Sequence, residues 1–183
     1  MKRLPIVGVI GSHVDSHMGL SAPLGQLIAK SGCHLLTGGG GGVMTAVAKS
    51  FTAHPTRNGL CIGILPIEDV AELKKLPHYT NPHIEIPIIT HLNQRAVDMA
   101  AMPLARNEVN ILSSDLIIGL PGLKGTEAET SMALEYDKPI ILFGNKSEFS
   151  HFPSEILVVE RIEDVGLFML KKFSERKENS IGK

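Results

Sequence analysis

His34-Leu35-Leu36-Thr37-Gly38-Gly39-Gly40-Gly41-Gly42-Val43-Met44 runs from a short apolar segment through five consecutive glycines into a stretch of helical character. The apolar segment has strand length. After the glycines, Met44, Val47, Ala48 and Phe51 recur at the spacing of one helix face, which predicts a helix over Val43 to Phe51. A strand, a glycine-rich turn and a helix in that order form half of a β-α-β unit. Without Cβ atoms, the turn's main-chain N–H groups can approach a ligand closely, and the helix start behind them favours an anion. A tight turn alone would need one glycine; five in a row point to anion binding.

The same alternation extends in both directions. Upstream, Ile6-Val7-Gly8-Val9-Ile10 reads as a strand, and Leu20 to Lys30 as a helix stopped at Ser31-Gly32. Downstream, Leu60 to Leu65 is a strand closed by Pro66, and residues 67–83 read as a surface loop. Ile84 to Ile89 is a strand that Pro87 demotes toward an edge. Arg95 to Leu112 looks helical but is interrupted by Pro103. Asp115 to Leu120 is apolar on both faces, as a buried parallel strand should be. Thr126 to Tyr136 is a helix, Pro139 to Phe143 and Ile156 to Val159 are strands, and Val165 to about Lys177 is the closing helix. This order predicts an α/β fold of Rossmann type, a three-layer, doubly wound, mainly parallel sheet of about seven strands. One domain is expected over residues 1–183.

Composition narrows the function. The net charge is −1 and aromatic residues are 4% of the chain, with no Trp. Neither a basic groove nor a stacking platform is present, so nucleic acid is not expected as a partner. No window of about 20 apolar residues exists, so no membrane partner is expected either. The run from Lys171 to Glu178 reads as the solvated end of a helix. Cys33 and Cys61 each open an apolar run and have no metal or disulfide spacing; they read as reduced, buried residues of a cytoplasmic protein. The eight histidines show no ligand pair, and no metal site is expected.

In an open parallel sheet, ligands sit beyond the carboxyl ends of the strands. Three loops end strands in that way: Gly11-Ser12-His13, Gly38 to Gly42, and Pro121-Gly122-Leu123-Lys124-Gly125-Thr126. They nominate Gly11, Ser12 and His13, then Gly39, Gly40, Gly41, Gly42 and Met44, then Gly122, Lys124, Gly125 and Thr126 as a phosphate or nucleotide site. The Walker A pattern is absent, since Val43-Met44 stand where Lys-Ser/Thr would. The first loop is not a G-x-G-x-x-G dinucleotide fingerprint. Thr126-Glu127-Ala128-Glu129 has the spacing of a capping box, with Thr126 as N-cap and Glu129 in the first turn.

Thr37-Gly38-Gly39-Gly40-Gly41-Gly42-Val43-Met44 resembles the first signature of the LONELY GUY-like family, some of whose members carry a lysine decarboxylase-like label. Pro121-Gly122-Leu123-Lys124-Gly125-Thr126-Glu127-Ala128-Glu129 resembles its second, Pro-Gly-Gly-x-Gly-Thr-x-x-Glu, and Arg106-Asn107 resembles the arginine its enzymes place ahead of that strand. The likeness is to the short subgroup that includes molybdenum cofactor carrier proteins. It implies a binding protein for a nucleotide or a phosphorylated pterin, either a nucleoside monophosphate or a molybdopterin-type cofactor, with no cofactor required.

The alternative it implies is a nucleoside 5′-monophosphate phosphoribohydrolase releasing free base and ribose 5-phosphate. Arg106 would then bind substrate and Glu129 would act at the anomeric carbon. A carboxylate in the first turn of a helix is stabilised by roughly 0.3–1 kcal/mol, which holds its pKa low and suits it to activating water rather than donating a proton. Leu123 replaces the second glycine of the signature and is expected to obstruct a phosphate and to resist positive φ. The resemblance also implies a homodimer or larger homo-oligomer, with Met99, Met102 and Leu104 as a candidate interface face. His91 and Arg95, one helical turn apart, are candidate cleft residues.

Overall fold

The computed structural model describes residues 3–66, 81–90, 92 and 106–181. Seven strands lie among the described residues: β1 (Ile6–Ile10), β2 (His34–Thr37), β3 (Cys61–Pro66), β4 (Ile86–Thr90), β5 (Leu116–Gly119), β6 (Ile140–Phe143) and β7 (Val158–Val159). They form one sheet in the order β4-β3-β2-β1-β5-β6-β7, and every pairing is parallel. The helices among the described residues are α1 (Met18–Lys30), α2 (Val43–Thr52), α3 (Arg106–Ser113), α4 (Lys124–Glu135) and α5 (Ile162–Ile181), with a 3-10 turn at Lys146–Phe149. None is long and apolar enough to cross a membrane.

Strand faces alternate between two cores. Val7, Val9, Leu116 and Ile118 point to the side covered by Leu24 and Ile28 of α1, Val47 and Phe51 of α2, and Val165 of α5. Ile10, Ile117 and Leu142 point to the side covered by Ile111 of α3 and Met132 and Ala133 of α4. Each central strand is therefore buried on both faces, which is why these strands read as unbroken apolar runs rather than alternating ones. β4 is an edge strand, as Pro87 requires, because a proline has no N–H to give to a further neighbour.

Polar anchors sit at the amino-terminal ends of the strands. Asp115 accepts the Ile6 amide at 2.9 Å and the Arg3 guanidinium at 2.6 Å, and pairs with Arg176. Arg57 forms two hydrogen bonds to the Glu85 carboxylate, at 2.6 and 2.8 Å, and Glu85 accepts the Cys61 amide, which fixes the approach to β4.

The expectations for residues 67–80 and for 93–105, including Arg95, Met99, Met102, Pro103 and Leu104, and the one for His91, lie outside the described residues. The strand order reverses between β1 and β5, so the topological switch point lies above their carboxyl ends. The three nominated loops follow β1, β2 and β5, and all open at that end of the sheet.

Candidate functional site

Ser12 ties the three loops together. Its N–H donates to the carbonyl of Pro121 at 3.0 Å, and its carbonyl accepts the N–H of Val43 at 2.9 Å. Its hydroxyl accepts the N–H groups of Val14 at 3.2 Å and Asp15 at 2.9 Å, closing a local turn. The loop after β1 is thereby fixed against the loops after β2 and β5, and the three enclose a cavity of about 330 Å³. That volume lies at the lower end of the range for small-molecule sites.

Of the nominated residues, Gly11, Ser12 and His13 line this cavity from the first loop, Gly40 and Met44 from the second, and Gly125 and Thr126 from the third. Arg106 and Glu129 line it as well. Five nominated residues do not. The Gly42 backbone has φ +56°, and a Cβ there would stand 2.3 Å from the Ser12 carbonyl oxygen. Gly39, at φ +71°, is pressed against Leu65, and Gly41 against the carbonyl of His13. A Cβ on Gly122 would lie 2.1 Å from the Thr126 hydroxyl. Lys124 carries its side chain to the exposed surface. Most of the glycine run therefore serves the approach of backbone to protein, which needs the same absent Cβ as an approach to ligand.

The start of α4 corrects the capping-box expectation. The helix begins at Lys124, two residues before Thr126, and its N-cap is Leu123, whose side chain makes no capping hydrogen bond. The first helical amide bond runs from Glu127 N–H to the Leu123 carbonyl at 3.1 Å. The N–H groups of Lys124, Gly125 and Thr126 thus lie in the first turn, where a helix supplies no acceptors of its own. Gly125 lines the cavity, and a Cβ added to it would meet nothing within 4 Å. Leu123 does not need positive φ either: it is extended, at φ −105° and ψ −160°, and its side chain is 78% exposed at the cavity wall. The expected strain at this position is absent because the backbone turns elsewhere.

The same shift moves Glu129 out of the first turn to the sixth position of α4. Away from the terminal amides, burial dominates. Desolvation pushes the Glu129 carboxyl up to about 7, with Arg106 acting in the opposite direction. This overturns the low pKa expected for it. Arg106, the first residue of α3, is buried, and its Nη1 donates to the carbonyls of Gly38 at 2.9 Å and Ile64 at 3.4 Å. Its charge is placed beneath the cavity by the carboxyl ends of β2 and β3. Asn107 beside it lines the cavity, and its buried Oδ1 has no hydrogen-bond partner among the described residues.

Seven lining residues were not nominated as binding residues: Val9 and Ile10 at the end of β1, Val14 and Asp15 in the loop after it, Gly38, Asn107 and Leu123. Their signal was position. Val14 and Asp15 follow Ser12 directly, and Asn107 follows Arg106.

A family model described as the SLOG cluster4 family matches residues 4–166. An uncharacterised protein of Archaeoglobus fulgidus is 31% identical over 140 residues, which are 75% of this chain and 79% of that protein. Among solved structures, the molybdenum cofactor binding protein of Rippkaea orientalis is similar with a TM-score of 0.68 and 30% identity, over 94% of this chain and 98% of that one. The molybdenum cofactor carrier protein of Chlamydomonas reinhardtii is similar with a TM-score of 0.69 and 27% identity, over 94% and 99% of the two chains. With its signature loops assembled at the switch point of an all-parallel sheet, the chain belongs to the SLOG cluster4 family.

Proposed function

We propose that this protein binds and carries a phosphorylated heterocycle in the cavity above β1 and β5, and that the ligand is a phosphorylated pterin of the molybdenum cofactor type. The observation that carries this reading is the open first turn of α4: its terminal amides have no helical acceptors, and bare Gly125 and Thr126 in that turn line the same cavity as Arg106. A phosphate there would accept main-chain N–H bonds and the favourable end of the helix dipole. The residues present fit such a ligand. Asn107 offers a buried acceptor with no described partner, suited to a ring N–H, and the volume admits a small bicyclic ring system. The two similar solved structures, a molybdenum cofactor binding protein and a molybdenum cofactor carrier protein, support the pterin over other phosphorylated rings.

The test is purification from a host that makes the cofactor, followed by oxidation of the denatured protein and measurement of pterin fluorescence. Stoichiometric fluorescent pterin is expected. A protein that retains none, and that binds no added nucleoside monophosphate in calorimetry, would lack the proposed function.

One observation favours a second reading, hydrolysis of a nucleoside 5′-monophosphate. A carboxyl held near neutrality in a desolvated cleft is matched to proton donation to a departing base. Under this reading Glu129 acts as general acid, not as the water-activating base that a first-turn position implied. Incubation with AMP decides it: adenine and ribose 5-phosphate must appear, and Glu129→Gln must abolish them.

A further inference from the structure

The rim of the cavity carries two large apolar side chains that the phosphate site does not use. Val14 is 80% exposed and Leu123 is 78% exposed, and both line the cavity. They stand in equivalent places on two loops that are bonded to each other. Ser12 N–H donates to the Pro121 carbonyl at 3.0 Å, and each apolar residue comes two positions after its end of that bond. Both backbones are held. Val14 N–H donates to the Ser12 hydroxyl, and the Leu123 carbonyl accepts the first amide bond of α4. Two fixed loops thus present exposed hydrocarbon at a mouth whose interior holds Arg106, Asn107 and Glu129.

Solvent-exposed apolar side chains are unremarkable when scattered. Two of them on the wall of one polar cavity are a different matter, because they offer apolar surface to a flat ring seated over the polar floor. We propose that Val14 and Leu123 form a clamp for the aromatic ring of the ligand, and that they set the preference for a ring-bearing phosphate over a ring-free sugar phosphate. The clamp rests on the phosphate-site reading above. It assigns Leu123 a selective role: where the resembling signature has glycine, this chain adds an apolar jaw without bending its backbone, since residue 123 is extended.

Calorimetric titration of the full chain with AMP, dihydroneopterin monophosphate and ribose 5-phosphate tests it, in the wild type and in Val14→Ala and Leu123→Ala. Both positions are exposed and neither side chain packs in a core, so both variants should melt with the wild type. The expected result is that the wild type prefers the two ring-bearing ligands, and that each substitution weakens them about 10-fold while leaving ribose 5-phosphate unchanged. Leu123→Met should restore the preference. Unaltered affinity of the variants for AMP and the pterin phosphate would overturn the clamp and leave the phosphate site standing. Equal wild-type affinity for ribose 5-phosphate and the ring-bearing ligands would overturn it too. Failure of the wild type to bind any of the three would overturn both the clamp and the site beneath it.

Discussion

Arg106 donates from Nη1 to the carbonyl oxygen of Gly38 at 2.9 Å, joining the start of α3 to the first glycine after β2. The contact is close: a Cβ on Gly38 would stand 2.3 Å from that nitrogen. A buried guanidinium bonded to strand-end carbonyls is held firmly, since breaking one partner leaves desolvated polar groups behind. Arg106→Met should therefore cost about 1–3 kcal/mol of stability in urea unfolding. It should also raise the Glu129 pKa further, because Arg106 is the group that lowers it. A carboxyl titration of Glu129 by NMR that is unmoved in the variant would disprove the coupling.

Glu129 should also make stability fall as pH rises. Its folded pKa, raised by burial to about 7, lies above the ordinary carboxylate range. Between about pH 4.5 and 7 the native state binds more protons at this site than the unfolded chain does, so unfolding free energy declines across that window and levels off above it. The contribution is on the order of 2 kcal/mol, allowing for the part of Glu129 that water reaches. Glu129→Gln should gain that much at pH 8 and little at pH 4. Parallel pH profiles for the variant and the wild type in urea melts would refute the prediction.

The central strands were legible because burial on both faces leaves a continuous apolar run, and Ile6–Ile10 was read to the residue. The three site loops were legible because each follows such a run and contains glycine. What could not be read was which atoms the glycines face. Gly42 gives way to the Ser12 carbonyl, a long-range contact with no local signature, and Gly122 to the Thr126 hydroxyl, which comes close only because the helix starts at Lys124. Glu129 was misplaced for a local reason. A threonine three residues before a glutamate suits a capping box, but the chain enters its helix at Lys124, and those two positions become the third and sixth of α4.

Cys33 and Cys61 should resist thiol reagents in the native protein. Both are buried, and desolvation, reinforced by Asp115 near Cys33 and by Glu85 near Cys61, pushes each thiol up to about 12. Only the thiolate reacts at a useful rate. Labelling with a chromogenic disulfide at pH 8 should give no fast phase, and both thiols should appear together on denaturation. Rapid native labelling of either would show that the core around β2 and β3 opens locally.

Three glycine substitutions separate fold from ligand. Gly42→Ala places a Cβ at φ +56° against the Ser12 carbonyl, and Gly122→Ala places one against Thr126 Oγ1. Each should destabilise the protein by about 1–3 kcal/mol, through strained backbone or forced displacement of a packed group. Gly125→Ala is different in kind. Its Cβ would meet nothing within 4 Å, and it lies in the first turn of α4, where alanine is the better helix former by roughly 0.5–1 kcal/mol. The variant should melt at or above the wild-type temperature. Its new methyl group, however, projects where a phosphate would approach the helix amides, so phosphate-bearing ligands should bind at least about 10-fold more weakly, the equivalent of about 1.4 kcal/mol. Calorimetry with AMP beside thermal melts reads both effects in one set of proteins. A Gly125→Ala variant that binds as the wild type does would move the phosphate away from the start of α4, whatever its melting temperature.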